Sequence, residues 1–414
     1  MTIARFSMGT GDRFGREGVA QVAAFDKIKA DGVDVAIVWN KSNREHTIIG
    51  TSPADQRAAA DAAAAASGWQ GQYYVDADHV GLANVDWFIP YCDFYTIDVT
   101  NCIGKASTDE SRAAFLERNQ RLLGSHDVPG ASAPIEVTQA VLTKLADRYV
   151  FALEESQRIY LHVKAEGGKL DHVEVAMDES PETQSPADLL VILSEIAHLQ
   201  IPADTVAIKF SGRFNKGVDY VGDVAEFLAE FRSDVAVIQW AIDEFGMKPN
   251  LKISVHTGSD KFSLYPGIGQ IVRDLDAGLH LKTAGTTWLE ELIGLAEGGG
   301  EGLQIAKEIY RSAYSMYDEL VAPYADVIDI DQAALPSPDE VDGWTSEQYA
   351  DALRHDQSNP AFDLNVRQLL HVGFKLAAKM GQRYLDALDT YRADVERNVT
   401  ENLYERHLRP LFVA

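Results

Sequence analysis

The 414-residue chain is poor in cysteine, in basic residues and in long apolar runs. Only Cys92 and Cys102 occur, too few for a disulfide framework and without zinc-finger spacing. Lys and Arg number 37 against 63 Asp and Glu, a formal net charge of −26 at pH 7. Nucleic acids and anionic membranes call for a basic face, so this balance argues against both as partners. An anionic substrate would have to meet local Lys, Arg or metal charge. No window approaches the roughly 18 consecutive apolar residues of a membrane span. The opening stretch MTIARFSMGTGDRFG lacks the apolar core of a signal peptide, and a cytoplasmic location is expected. Hydrophobic residues at 46% and charged residues at 24% exclude a disordered or fibrous chain.

What is present is a recurring order of short β-branched run, polar loop and helical stretch. The strand-like runs are Ala4–Met8, Val33–Trp39, Gln72–Val75, Phe94–Val99, His172–Met177, Thr205–Phe210, Leu251–Val255 and Leu279–Lys282. Helix signals lie between them. Ser52-Pro53 opens the alanine-rich run Ala54–Ser67 and Gly68 closes it; Ser185-Pro186 starts Ala187–Leu199; Gly222-Asp223 starts a run through Phe245. Alternating strands and helices predict a parallel sheet, and eight such units predict an α/β (β/α)₈ TIM-type barrel. The expected organisation is a catalytic barrel over residues 1–300, with a helical insertion after the fourth strand at about 107–171. A C-terminal helical extension follows over 301–414, with Leu303–Val321 and Asn365–Arg397 as its main helical runs.

The segment Gly9-Thr10-Gly11-Asp12-Arg13-Phe14-Gly15 follows a strand and precedes a helix, as a dinucleotide fingerprint does. Its spacing is one residue too long, and the second strand ends at Trp39-Asn40 without the acidic residue that holds a ribose. A helix N-terminus taking an anion, with Arg13 as carboxylate clamp, competes with a plain tight turn.

In a barrel, chemistry sits where strands end, and these ends are rich in ionisable groups. They supply Asp76, Asp78 and His79; Asp98 and Asn101; Asp178 and Glu179; Lys209 and Arg213; His256, Asp260 and Lys261; His280, Lys282 and Thr283. Imidazoles and carboxylates at separate strand ends suit a divalent metal such as zinc, manganese, nickel or iron(II). The expected ligands are His79, Glu179, His256 and His280, with Asp178 the rival of Glu179, since alternation turns only one of that pair inward. Lys209, Arg213, Lys261 and Lys282 supply cations for an anionic substrate; ordinary salt bridges are the alternative for each.

The segments FSMGTGDRFG, YVDADHV, FYTIDVTN, HVEVAMDESPETQSP, KFSGRFNKGVDYVGD, KISVHTGSDKFSLYP, HLKTAGTTWLEE and DLNVRQLLHVGF resemble, in order, those of the tagaturonate epimerases. The resemblance implies a metal-dependent barrel enzyme that interconverts D-tagaturonate and D-fructuronate. Family members carry further residues ahead of the GTGDR segment, so a sibling group acting on a related sugar acid is the alternative. The two ketohexuronates differ at a carbinol carbon β to both ketone and carboxylate, whose C–H neither group acidifies. A retro-aldol/aldol route avoids that obstacle. Asp178 or Asp78 is then the expected base and Lys282 a second acid/base or oxyanion partner. Arg13, Lys209, Arg213, Asp260, Lys261 and Thr283 are expected around the substrate. His371 reads as helix packing, with closure over the site as its other role. An aldolase, an isomerase on a related sugar acid, and a non-catalytic sugar-acid-binding barrel are the rival readings. The expected partner is a small sugar acid, and a homo-oligomer stays open.

Overall fold

The computed structural model describes residues 2–283 and 285–413. Four strands, β1 (Phe6–Thr10), β2 (Val35–Ser42), β3 (Tyr73–Val80) and β4 (Phe94–Asp98), precede a small antiparallel hairpin of β5 (Gly124–His126) and β6 (Ile135–Val137). Then come β7 (His172–Ala176), β8 (Thr205–Ala207), β9 (Lys252–His256) and β10 (Leu279–Thr283). The eight strands outside the hairpin close into a parallel barrel in the order β1-β10-β9-β8-β7-β4-β3-β2. This is the (β/α)₈ barrel expected. The strands are apolar runs because helices cover them: all of Val35–Trp39 is buried.

Helix ends follow their local chemistry. Ser52 and Ser185 each accept a backbone N–H three residues on, and Asp55 and Asp188 reach back to close the box. Asp223 caps the helix Val224–Phe245, and Gly246, at φ +66°, ends it. The long fourth connection carries the helices Asp109–Asn119, Gln139–Arg148 and Val150–Ala165 around the hairpin. In the C-terminal part the expected single run Asn365–Arg397 is broken into Leu364–Val372, Phe374–Met380, Gln382–Thr390 and Arg392–Glu401. One break falls at Gly381, whose φ of +58° no helix interior accepts. The helices bend round the barrel instead of leaving it. No helix among the described residues is long and apolar enough to cross a membrane.

The barrel interior is layered. Ile3, Ala36, Val38, Tyr74 and Phe94 form an apolar plug at the bottom. Above it Ser7, His280 and Ser254 stand side by side in register on β1, β10 and β9. The next tier is charged, and it opens on the site.

One buried acid stands outside this plan. Asp234, in the helix Val224–Phe245, is fully buried, and neither carboxylate oxygen has a hydrogen-bond partner among the described residues. Burial, with Glu230 and Asp188 nearby, holds it well above its ordinary pKa, so the fold keeps it neutral. The unfolded chain ionises it above about pH 4, so this group costs stability increasingly as pH rises from there. Asp234→Leu, nearly isosteric, should gain about 1–3 kcal/mol at pH 7 and less at pH 4.5. Urea unfolding midpoints check this; a lower midpoint for the variant at pH 7 would refute it.

Candidate functional site

The strand C-termini open into a cavity of about 430 Å³, a size suited to a small polar ligand. Its floor is an ion cluster built across the barrel. Lys282 Nζ lies 2.6 Å from Asp78 Oδ1, 2.8 Å from Asp76 Oδ2 and 3.5 Å from Glu174 Oε1. The Lys282 ammonium also donates to Thr96 Oγ1 at 2.8 Å, and Thr205 donates to Glu174 at 2.7 Å. Burial alone would neutralise these groups, but the cluster reverses that for most of them. Lys282 is held well above the ordinary lysine value by the three acids. Glu174 is held well below its own, by Lys282 and His256, and Asp78 is also lowered. Asp76 is the exception: burial dominates and lifts it to about 6. The first glycine of the GTGDR segment finds its reason here. A Cβ on Gly9 would lie 2.7 Å from Lys282 Cγ, so only glycine leaves the lysine its path across the barrel.

Above the floor, a β-bulge sets the upper side chains. The β3–β4 register slips between Ala77 and Val80, and His79 adopts a left-handed φ of +54°. Regular alternation would send Asp78 and His79 to opposite faces; the bulge lets both line the cavity. A side chain with φ above zero is costly, and such strain concentrates at functional sites. His79, Asp178 and His256 each offer a ligand atom, all within 4.8 Å of one another. Each imidazole is held from behind by a carboxylate. Asp98 Oδ2 is 3.0 Å from His79 Nδ1, and Glu174 Oε1 is 2.9 Å from His256 Nε2. That leaves His79 Nε2 and His256 Nδ1 toward the common point, the arrangement in which imidazoles are presented to metals. Asp178 Oδ1 is buried without a hydrogen bond among the described residues. Burial opposes charge on both rings, but Asp78, Asp98 and Asp178 push His79 up to about 10, and Asp178 and Glu174 push His256 up to about 9.

Of the four expected ligands, His79 and His256 meet here and the other two do not. Glu179 lies one residue beyond Asp178, exposed on the cavity rim. His280 sits one tier down, fully buried, with Nδ1 2.8 Å from Ser7 Oγ and its ring 5.4 Å from Phe94. Burial lowers it to about 3, so it is a neutral core histidine. Lys282 is two residues further along β10, and that step carries it into the floor.

The expected substrate contacts also divide. Arg13 and Lys209 line the cavity. Arg213 is exposed and pairs with Asp329 at 3.6 Å. Thr283 is buried, its hydroxyl 2.8 Å from Thr286. Lys261 is buried, its ammonium bonded to Ser259 Oγ and to the carbonyls of Asn215, Ser259 and Asp260. Asp260 is a fastening point: Arg367 lies 2.7 Å away, His355 3.2 Å and His407 3.4 Å, all from the C-terminal part. The turn after β1 does not offer its backbone to an anion either, because Asp12 accepts the backbone N–H groups of Gly15, Arg16 and Glu17. Sequence reasoning passed over Lys216, Tyr324, Val327 and Phe374, which line the cavity together with His371. These are loop and helix positions with no periodic signal; only the segments KFSGRFNKG and DLNVRQLLHVGF marked two of them.

A family model described as tagaturonate epimerase (UxaE) matches residues 1–411. A tagaturonate/fructuronate epimerase of Thermotoga maritima is 29% identical over 384 residues, covering 89% of this chain and 73% of that protein. The glycerol-bound crystal structure of the fructuronate-tagaturonate epimerase from Cohnella laeviribosi superposes with a TM-score of 0.81 at 22% identity, over 99% of this chain and 82% of that one. A second structure of that protein, with two glycerols, gives 0.81 at 21% identity over 100% and 83%. At that identity the structures establish the shared fold.

The floor generates a stability test. Lys282→Met leaves Asp76, Asp78 and Glu174 without their cation, which should cost about 3–5 kcal/mol at pH 7. Lowering the pH protonates the stranded acids, so the deficit should shrink by pH 5. Urea unfolding of parent and variant at both pH values reads this, and equal stability at pH 7 would contradict it.

Proposed function

Because this chain belongs to the tagaturonate epimerase family, we propose that it interconverts D-tagaturonate and D-fructuronate by a metal-assisted retro-aldol/aldol route. It is a carbohydrate epimerase acting on sugar acids; the substrate pair and the route are the proposal. What supports the route is the placement of His79, Asp178 and His256 in one cavity with the Asp78–Lys282 pair.

The donor set fits a divalent ion such as zinc, manganese, nickel or iron(II): two imidazole nitrogens backed by carboxylates, and a buried carboxylate oxygen with no hydrogen-bond partner among the described residues. Such an ion would supply Lewis acidity toward the ketone and the neighbouring hydroxyl, worth several kcal/mol. The chain's own residues carry the protons. Asp78, kept ionised by Lys282, takes the proton of the hydroxyl on the carbon to be inverted. The C–C bond toward the ketone breaks, its electron pair passing into an enediolate and leaving an aldehyde. Rotation about the remaining bond presents the other aldehyde face. The enediolate attacks it, and the proton returns to the new alkoxide. Lys282, fixed by three acids, offers positive charge at the alkoxide throughout. Asp178, the other expected base, stands with His79 and His256 among the candidate metal donors, so the base role falls to Asp78.

Two outcomes are expected. His79→Ala and His256→Ala should each lose bound metal and about 10²-fold or more in turnover on the two uronates, followed by NMR of both epimers. Retention of metal and full activity by both variants would refute the site. Since His79 and His256 hold protons at neutral pH, a metal must displace them. Affinity for Zn²⁺ or Mn²⁺ should therefore rise steeply with pH, roughly tenfold or more from pH 6.5 to 7.5. A pH-independent affinity by calorimetry would count against these ligands.

A further inference from the structure

We propose that Lys216, with the free Nη1 of Arg13, grips the substrate carboxylate at the cavity end walled by the C-terminal helices, and holds the aldehyde fragment there while it turns.

Lys216 follows β8 on the loop to the helix Val224–Phe245, and its side chain lines the cavity. It is tied in by its backbone N–H, which donates to the Val327 carbonyl. Its ammonium occupies space left by a missing side chain: a Cβ on Gly258 would lie 3.1 Å from Lys216 Nζ. Next to it, Gly258 accepts the Gly285 N–H, and a Cβ on Gly285 would strike the His371 ring at 2.3 Å. Two adjoining glycines thus make room for one ammonium and one imidazole at the same end of the cavity. Arg13 comes in from the β1 loop. Its guanidinium lies 3.9 Å over the Phe374 ring, three residues past His371, and its Nε pairs with Glu45 at 2.8 Å. Arg13 is 7% exposed, and its Nη1 is buried with no hydrogen-bond partner among the described residues. Burial lowers the pKa of Lys216, while Glu179, Asp178 and Glu45 act to raise it, and among the described residues no acid forms a salt bridge with it. In a chain of net charge −26, an ammonium without a partner among the described residues and a half-paired guanidinium facing one cavity amount to a seat for an anion. The floor, where three acids share the one cation Lys282, would repel a carboxylate.

The polarity matters for the reaction read above, on which this half of the inference rests. Cleavage leaves the ketone carbons in the enediolate and the carboxylate in the aldehyde. An enzyme that only held the ketone end would spill the aldehyde and act as an aldolase. A grip on the carboxylate retains the fragment and leaves the bond beside it free to rotate.

The test uses full-length, metal-loaded protein with Lys216→Met and, as the conservative control, Lys216→Arg; thermal melting verifies that both fold. The first readout is calorimetric titration with D-galactonate, an unreactive six-carbon acid, and with galactitol, its uncharged counterpart. Lys216→Met should weaken galactonate on the order of 10²-fold, with a much smaller effect on galactitol, and Lys216→Arg should restore most of the loss. Unchanged galactonate affinity, or an equal loss for both ligands, overturns the carboxylate seat. The second readout is free aldehyde per epimerisation, trapped as a hydrazone, which should rise at least about tenfold in Lys216→Met, as one lost charge contact permits. No rise, with galactonate binding lost, overturns the holding role and keeps the seat. Selective loss of galactonate in a protein that turns over neither uronate keeps the seat and overturns the epimerase reading.

Discussion

One ammonium group holds the centre of this protein together electrically. Lys282 crosses the barrel to meet Asp76, Asp78 and Glu174, acids that arrive on two other strands, β3 and β7. None of these could be buried ionised without it, since taking an isolated carboxylate from water costs far more than a fold can supply. Much else follows from that accommodation. Gly9 has to be bare, Thr96 and Thr205 have to turn hydroxyls inward, and Glu174 becomes able to hold His256 from behind. A conventional apolar barrel core would be cheaper, but it could not place charge at the strand ends.

The cavity above is assembled from two sources. The barrel contributes the acids and imidazoles, brought to one point by the bulge at His79 and by the turn after β7. The C-terminal helices contribute a wall of Tyr324, Val327, His371 and Phe374. The two are fastened at Asp260, where Arg367, His355 and His407 converge on one buried carboxylate. Arg367 also donates to the Gly217 carbonyl at 2.6 Å, which fixes the loop bearing Lys216. The extension is thus a structural part of the site.

Much of the fold could be read from the residues. β-branched runs between capped helices gave all eight barrel strands, because strands buried on both faces have little choice of composition. Boundaries slipped where local geometry departs from the average: β3 runs on to Val80 through its bulge, and β8 stops at Ala207. The ionisable lining of the cavity was legible at His79, His256, Asp78, Asp178, Glu179 and Lys282, where strand-end chemistry stands out in sequence. The position of His280 one tier below the cavity was not legible, since counting strand ends cannot tell which tier of a barrel a side chain occupies. Asp260 and Lys261 look like substrate contacts in one dimension and serve as internal ties in three. Lys216 gave no periodic signal because loops have no period; only its place in the segment KFSGRFNKG marked it.

The wall has a bearing on biosynthesis. A ribosome delivers the barrel strands first, and the last of them is complete at Thr283. At that moment Asp260 still awaits His355, Arg367 and His407, and the pocket lacks one side. A chain halted there therefore carries an ionic centre open to water and an acid without the cations that later face it, a state for a chaperone to shelter rather than one that works. Only when His407 has emerged does the last clasp close.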